Sequence, residues 1–426
     1  MRTGRRELIR DLNRALVLNL VRERDAISRA DIARVTGLSP STVTAITASL
    51  LADGLLVEDA GTAPSATGTA AAAGTATLGR PATLLRVDPA AGYVVGIKLA
   101  VETLTATVTD LDATPLAMVS LPHGPAADRE AVADLFARAV EEALAAAGVE
   151  DGLVFGVGIG VPGMVDPATG QVHGSPLPDW AEADLADLLE ERLGLPVLVD
   201  NDVNTLTVAE QLFGQGRGLS HLLVITIGRG IGMGSVVNGT VHRGARGGAG
   251  EIGHIEVIPD GPLCWCGLRG CLEAVAAEPA IAREVLAATG RLAAPAEIAG
   301  LAAADPRVAA ILSGAGRMVG RAMATVARVT DPQRVIVSGE GVRLGPSYLA
   351  ALRAAFEERQ PAEGALELVV EPWGDEAWAR GAATLVLREL FHPAHLRDEG
   401  SPPASPIVAV GAVHPKVARS GRGGGR

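Results

Sequence analysis

The residues of this chain best suited to chemistry are its three cysteines and a neighbouring histidine. Cys264 and Cys266 are two positions apart, Cys271 follows five positions later, and His254 precedes Cys264 by ten positions. Three thiolates and one imidazole form a complete tetrahedral ligand set for Zn²⁺, and four protein ligands leave no open position for catalysis. The chain has no other cysteine as a disulfide partner. We therefore expect a structural zinc site, the alternative being three reduced thiols in a protein core.

Acidic and amide side chains flank this cluster and form a second one upstream. Glu251 precedes His254 in G-E-I-G-H, and Glu273 follows Cys271 by two positions. The run D-N-D-V-N at 200–204 follows a predicted strand, where α/β folds place their ligands. Carboxylate, amide and imidazole groups that converge suit a polyhydroxylated ligand, because they bond pairs of hydroxyls directionally. The alternatives are helix capping for D-N-D-V-N and surface acids for the two glutamates.

Several motifs in this region resemble the signature of the ROK family, which joins sugar kinases and sugar-responsive repressors on one fold. These motifs are G-E-I-G-H and C-x-C-G-x-x-G-C-x-E, preceded by a G-x-G-x-G run and H-R-G-A. The resemblance implies a two-lobed, actin-like ATPase fold of the α/β class. It assigns sugar contacts to Gly163, Asn201, Asp202, Glu251, His254 and Glu273. It also makes Asp202 the catalytic base if the protein is a kinase. One departure is S-P-L-P-D-W from Ser175, where family members commonly read S-P-N-L-P-x-W.

The N-terminal part has the pattern of a winged helix-turn-helix, and it resembles that module of ROK repressors. Periodic apolar residues, capping serines and turn glycines predict helices over 5–24, 29–36 and 40–52 and wing strands over 55–58 and 83–87. Ser28 and Ser39-Pro40 are helix-start signals, and Gly37 is a helix-stop signal. Two short helices joined by a glycine turn form a helix-turn-helix. The alternative is a three-helix packing module that does not bind DNA.

The second helix of the pair is the recognition helix of such a module. The residues that we expect to contact DNA are Arg29, Ser39, Ser41, Thr42, Thr44 and Arg80. Small hydroxyl side chains suit phosphate oxygens and thymine methyl groups. Arg80, in a Gly-Arg-Pro turn, could enter a minor groove, the alternative being a plain strand-entry turn. Residues 1–24 contain seven arginines and three acids, although the whole chain has a net charge of −12. A basic end on an acidic protein fits an electrostatic footprint for DNA phosphates.

From residue 92 onward, strand and helix patterns alternate. We predict strands over 93–99, 104–109, 153–159, 196–199, 221–227, 232–238, 334–338 and 366–370 and helices over 129–147, 185–193, 203–213, 274–288, 306–329, 346–360 and 375–391. The expected domains are a winged helix-turn-helix at 1–87, a ROK sugar-binding domain at 88–391 and a disordered tail at 392–426. Residues 61–81 are low in complexity and predict a flexible wing loop. The sequence has no membrane-spanning run and no secretory signal pattern, so we expect a cytoplasmic protein.

The sequence of the first predicted hairpin distinguishes a ROK kinase from a ROK regulator. The resemblance implies D-x-G-G-T here in ROK kinases, where glycines make room for ATP phosphates and the aspartate organises Mg²⁺. This chain reads K-L-A-V-E from Lys98 to Glu102, and Arg229 interrupts the second glycine loop. Added side chains obstruct a phosphate, and Glu102 would repel one.

We therefore predict a sugar-responsive DNA-binding regulator, a repressor, that binds a monosaccharide or sugar phosphate but not ATP. Its expected partners are operator DNA, the sugar effector and a second copy of the chain, in a homodimer or tetramer, with no membrane partner. One alternative is an ATP-dependent ROK sugar kinase with an appended DNA-binding module. The other is a constitutive DNA-binding protein with an inactive effector lobe.

Overall fold

The computed structural model describes residues 2–59, 83–124, 128–167, 169–175, 185–361, 366–371 and 375–391. The predicted loop 61–81 with Arg80, the residues that follow Ser175 in S-P-L-P-D-W, and the predicted tail 392–426 lie outside these residues. The N-terminal part contains α1 (Arg2–Glu23), β1 (Ile27–Ser28), α2 (Arg29–Thr36), α3 (Pro40–Ala52), β2 (Leu56–Asp59) and β3 (Leu84–Val87).

The helix-turn-helix forms as its capping residues predict. The hydroxyls of Ser28 and Ser39 accept hydrogen bonds from the first-turn backbone N–H groups of α2 and α3. α2 ends at Gly37, whose φ of 71° lies in the left-handed region. Strand β1 was not predicted, because two residues are too short to show periodicity. It pairs with β3 and completes a three-stranded sheet of order β1-β3-β2.

The first lobe is a mixed sheet with helices on both faces. Its elements are β4 (Tyr93–Leu99), β5 (Thr103–Thr109), β6 (Pro115–Pro122), α4 (Arg129–Ala147), β7 (Val154–Val161), β8 (Met164–Val165), β9 (Val172–His173), α5 (Leu185–Leu193), β10 (Val197–Asn201) and α6 (Asp202–Phe213). The strand order is β10-β7-β4-β5-β6, in which β4, β7 and β10 are parallel. The short hairpin β8-β9 lies outside this sheet. Every residue of β7 is buried, which explains its continuous apolar character.

The second lobe repeats this topology. Its elements are β11 (Leu222–Ile227), β12 (Ile231–Val237), β13 (Thr240–Val241), α7 (Leu272–Ala276), α8 (Glu278–Thr289), α9 (Pro295–Ala304), α10 (Pro306–Thr330), β14 (Arg334–Ser338), α11 (Pro346–Glu357), β15 (Glu367–Val370) and α12 (Asp375–Phe391). The strand order is β13-β12-β11-β14-β15, with β11, β14 and β15 parallel. The predicted two-lobed α/β fold is therefore confirmed. Among the described residues, no helix is both long and apolar enough to cross a bilayer.

Some elements differ from the prediction for physical reasons. The predicted helix 274–288 is two helices, α7 and α8, because the chain is extended at Ala277 and Pro279 starts a new first turn. Strand β6 was missed because none of its residues is fully buried, so its apolar alternation is weak. The short strands β8, β9 and β13 and the alanine-rich helix α9 were also missed. Helix α11 stops at Glu357, earlier than the predicted end at residue 360.

Helix α12 returns from the second lobe and lies directly on the sheet of the first. A Cβ atom at Gly96 or Gly158 would overlap the backbone of α12. Both glycines are therefore required for this close approach. The C-terminal end of α12 joins one hydrophobic cluster with the winged module, in which Leu387 and Phe391 pack with Val21 and Leu85. This cluster connects the winged module to the two lobes.

Candidate functional site

A cleft with a cavity of about 640 Å³ opens between the two lobes. It is lined by all of the residues predicted to contact a sugar, namely Gly163, Asn201, Asp202, Glu251, His254 and Glu273. These residues come from the turn after β7, the junction of β10 and α6, a 3₁₀ turn at Ile252–His254, and α7. The fold thus gathers side chains from four separate segments around one cavity.

Asn201 and Asp202 enter the cleft because the parallel strand β10 ends there. Asn201 caps α6, since its Oδ1 accepts the N–H groups of Val203 and Asn204 at 2.9 and 3.2 Å. Its Nδ2 donates to the carbonyl oxygen of Gly163 at 2.9 Å. The Asn201 side chain therefore caps α6 and also connects two segments that line the cavity. Desolvation in the cleft raises the pKa of Asp202 to about 6, against the opposing effect of Lys98. A carboxylate with this pKa can accept a proton from a hydroxyl near neutral pH.

Two residues outside the predicted set support this wall of the cleft. Asp200 is buried, and its Oδ1 accepts a hydrogen bond from Nδ2 of Asn204 at 2.9 Å. Its Oδ2 accepts from Nε of Arg243 at 2.7 Å. Arg243 is the arginine of H-R-G-A, so this ion pair gives the motif a structural role. The H-R-G-A motif could have identified Arg243, but nothing in the sequence indicates that Asp200 is its partner.

The predicted metal ligands form a compact cluster beside the cleft. The ligand atoms of His254, Cys264, Cys266 and Cys271 all lie within 4.8 Å of one another. Nδ1 of His254 is 3.5 Å from Sγ of Cys264, and the sulfurs of Cys266 and Cys271 are 3.7 Å apart. Tetrahedral zinc with ordinary bond lengths requires separations of about 3.5 to 3.8 Å. Burial raises the pKa of Cys271 to about 12, so its thiolate requires a compensating cation. The four side chains therefore fit a zinc ion.

The cluster is connected to the carboxylates of the cleft. Nε2 of His254, on the far side of the ring from the sulfurs, lies 3.8 Å from Oε2 of Glu251. Burial raises the pKa of Glu251, while His254 lowers it. The indole N–H of Trp265, between two of the cysteines, donates to Oε1 of Glu273. The other oxygen of Glu273 accepts the backbone N–H of Ile231 at 2.9 Å. Trp265 thus connects the cysteine-containing loop, residues 264–271, to Glu273, while His254 lies beside Glu251. The sequence did not indicate the role of Trp265.

The opposite end of the cleft is crossed by an ion pair between the lobes. Nζ of Lys98, at the end of β4, lies 3.6 Å from Oε1 of Glu340, which follows β14. The same ammonium lies 4.0 Å from the ring centre of Trp378 on α12. The carboxylate of Glu340 lies against Gly228 in the second glycine loop. Among the residues that the structure describes, Glu102 does not line the cavity, whereas Glu278 and Glu340 do.

The winged module exposes part of the predicted DNA-contacting set. Ser39, Ser41 and Thr44 are exposed at the start of α3, and Thr42 is half-buried. A groove beside them is lined by three α1 residues, Arg10, Asn13 and Arg14, of which the two arginines belong to the basic end noted in the sequence.

Arg29 has a different environment. Its Nε donates to Oγ1 of Thr47 at 3.1 Å, and its Nη2 pairs with Glu58 at 2.7 Å. Its guanidinium therefore links α2 to α3 and β2, while the side chain remains 32% exposed.

Comparison with known proteins agrees with both parts of this architecture. A family model described as ROK family matches residues 94–389, and one described as winged helix-turn-helix DNA-binding matches residues 10–57. The xylose repressor of Bacillus subtilis (strain 168) is 26% identical over 382 residues, covering 89% of this chain and 96% of that protein.

Two solved structures are similar to the chain over different lengths. A ROK family transcriptional regulator, a homologue of the Escherichia coli MLC protein, has a TM-score of 0.77 and 27% identity, covering 90% of this chain and 97% of that one. The ROK hexokinase of Thermus thermophilus has a TM-score of 0.60 and 35% identity, covering 68% of this chain and 97% of that one. With a family match over residues 94–389, behind a winged helix-turn-helix, the chain belongs to the ROK family.

Proposed function

We propose that the protein is a sugar-responsive transcriptional repressor of carbohydrate-metabolism genes. The observation that carries this proposal is a cleft attached to a winged helix-turn-helix. Amide and carboxylate groups line one end of this cleft, and the Lys98–Glu340 ion pair crosses the other. The regulator structure covers 90% of the chain, whereas the hexokinase covers 68%. The similarity that includes the winged module is therefore to a regulator.

The end of the cleft that contains Lys98 and Glu340 argues against ATP binding. Lys98 places a cation where the family's kinases have the aspartate that organises Mg²⁺, so a divalent cation is repelled. Glu340 and Glu278 present carboxylates near the glycine loop, and burial together with Glu340 raises the pKa of Glu278. These acids repel the phosphates of a nucleotide. Lys98 and Glu340 also pair with each other, so this end of the cleft is already occupied by an ion pair.

The other end supports binding of a monosaccharide or sugar phosphate. Asn201, Asp202 and Glu251 present amide and carboxylate groups to hydroxyls, and His254 offers Nε2 while Nδ1 faces the cysteines. Zinc held by His254 and the three cysteines would fix the imidazole and the cysteine loop. The ion has a structural role, because four protein ligands complete its coordination.

DNA recognition follows from two copies of the module. In a homodimer, or a tetramer built from dimers, two α3 helices would occupy major grooves whose half-sites are about 34–36 Å apart or a multiple of this distance. Sugar binding would change operator affinity only to the extent that the sugar binds the two states of the protein differently.

Arg10 tests how α1 contributes to DNA binding. It lies in the groove beside Ser41 and Thr42, so we expect it to neutralise one phosphate. Arg10→Ala should weaken binding to operator and to unrelated DNA alike, and it should reduce the slope of log K against log salt by about 0.9. Fluorescence anisotropy over a salt series measures this slope. Arg138→Ala, on α4 of the first lobe, is the matched control, and an unchanged slope for Arg10→Ala would exclude the contact.

The proposal as a whole is tested by selecting genome fragments with purified, zinc-loaded protein. The selection is repeated with D-xylose, D-glucose, N-acetyl-D-glucosamine and their phosphates. We expect a few palindromic sites beside sugar-catabolic genes to be enriched and one sugar to change their recovery. Enrichment that no sugar alters, together with no sugar-induced thermal shift, would instead establish a constitutive DNA-binding protein.

An ATP-dependent sugar kinase is the second candidate. It is favoured by the raised pKa of Asp202, about 6, and by the 35% identity to the hexokinase. An ATP-coupled assay with the same sugars separates the two functions. The kinase would be established by ATP turnover that requires sugar and disappears in Asp202→Asn. We expect no such turnover.

A further inference from the structure

Arg22, in the last turn of α1, is buried where the winged module meets both lobes. Its side chain is 8% exposed. Nη1 donates to the carbonyl oxygen of Leu212 at 3.2 Å, which caps the end of α6. The centre of the guanidinium lies 5.4 Å from the ring of Phe213 and 5.1 Å from the ring of Phe391. One side chain therefore contacts the C-terminal ends of both α6 and α12.

The same two helices reach the cleft at their other ends. α6 begins with Asp202, and α12 carries Trp378, and both of these residues line the cavity. At 1.5 Å per residue, each helix spans roughly 15 to 20 Å between the cleft and Arg22. The helices pack closely, because Gly381 of α12 lies against the backbone of α6 at Leu206. They form a rigid parallel pair from the effector cleft to the DNA-binding module.

A second arginine also connects the end of α6 to the end of α1. Arg217, in the loop after α6, donates from Nη2 to the carbonyl oxygen of Glu23 at 2.9 Å. Its guanidinium also lies 3.6 Å from the carboxylate of Asp25. A displacement of the C-terminal end of α6 is therefore passed to the end of α1 through two arginines. The second arginine is partly exposed, so its contacts are the weaker of the two.

An arginine suits this position because its planar guanidinium can bond a carbonyl oxygen and stack on aromatic rings at the same time. Within α1, Nη2 of Arg22 also donates to Oδ1 of Asn19 at 3.0 Å, which fixes the side chain to its own helix. A lysine would keep the positive charge but would lack the planar guanidinium group and its several N–H donors. The contacts thus depend on shape as well as charge.

We propose that Arg22 is the positioning residue through which the state of the cleft, carried by α6 and α12, sets the position of the winged module on DNA. This inference rests on the proposed function, because it requires both a sugar and an operator. Arg22 takes no part in binding either of them. Its role is confined to the coupling between the two sites.

The test compares wild type with Arg22→Lys in the full-length, zinc-loaded protein. Operator affinity is measured with and without D-xylose, D-glucose, N-acetyl-D-glucosamine or their phosphates, and sugar affinity is measured separately without DNA. Allosteric effects of this kind are commonly about 5- to 150-fold. In Arg22→Lys, we expect sugar to change the operator Kd by less than about twofold. The sugar Kd, and the operator Kd measured without sugar, should both stay within about threefold of the wild-type values.

Two further variants complete the design. Arg86→Lys, whose arginine pairs with Asp59 inside the winged module, is the matched control and should keep the wild-type response. Arg217→Ala should reduce the response in part and replaces Arg22→Lys as the test if that variant does not fold. A full sugar response in folded Arg22→Lys, or in Arg217→Ala when it replaces that variant, would overturn the coupling role and leave the proposed function intact. A wild-type protein that binds neither sugar nor DNA would overturn both.

Discussion

Replacing Cys266 by serine is expected to remove the bound metal and, with it, sugar binding. Cys266 is the exposed cysteine of the cluster, so the change removes one ligand without opening a cavity in the core. Loss of a thiolate ligand should lower metal affinity by more than the 10- to 100-fold cost of changing an outer-shell partner. Without metal, Trp265 is no longer held against Glu273, and we expect sugar affinity to fall at least about 100-fold, or about 2.7 kcal/mol.

Metal content and sugar binding are measured separately. Elemental analysis of the purified chain should give about one zinc per wild-type protein and almost none in Cys266→Ser, and calorimetry with the same sugars measures binding. Leu268→Ala is the matched control, because Leu268 lies in the same loop, is 61% exposed and is not a ligand. Undiminished sugar affinity in metal-free Cys266→Ser would show that the metal does not organise the site. A wild-type chain without stoichiometric metal would refute the zinc site.

Asp202→Asn is expected to abolish the sugar response while making the folded protein more stable at alkaline pH. The asparagine keeps the shape but loses the charge and one acceptor, so sugar affinity should fall about 100-fold. Operator binding without sugar should be unchanged, because Asp202 lies in the cleft and not on the winged module. The expected result is a repressor that remains on its operator whatever the sugar concentration.

The stability effect follows from the pKa of Asp202, which burial raises from 3.8 to about 6 in the folded chain. The folded state therefore keeps this proton to higher pH than the unfolded state, and stability falls as pH rises between these values. At pH 8 the full cost, about 3 kcal/mol, is present. Asparagine stays neutral, so the free energy of unfolding should rise by up to about 3 kcal/mol at pH 8 and by about half of that at pH 5.

Urea denaturation of the variant and wild type at these two pH values measures the difference. Asp187→Asn, at an exposed position on α5, is the matched control and should show no gain that depends on pH. An Asp202→Asn protein no more stable than wild type at pH 8 would contradict the conclusion that burial raises the pKa of the Asp202 carboxyl. Retained sugar affinity would place the sugar site elsewhere.

The sequence determined the features that depend on nearby residues. The caps at Ser28 and Ser39 and the stop at Gly37 fixed the helix-turn-helix, because these hydrogen bonds join residues within one turn. The spacing of the cysteines indicated the cluster that could hold a metal ion, since a short loop can bring its side chains together. The position of Asp202 after a predicted strand placed it at the carboxyl end of the sheet, and the structure has it there.

Only the tertiary structure decided which distant residues meet. Lys98 gives no sign in the sequence that Glu340 is its partner, because the ion pair depends on how two lobes pack. The sequence around Arg29 likewise does not indicate that folding brings Glu58 of β2 to its guanidinium. In the sequence, Arg22 is one of seven arginines among the first 24 residues, and it is buried because α6 and α12 end beside it. Contacts between segments far apart in the chain follow from packing, which local spacing does not encode.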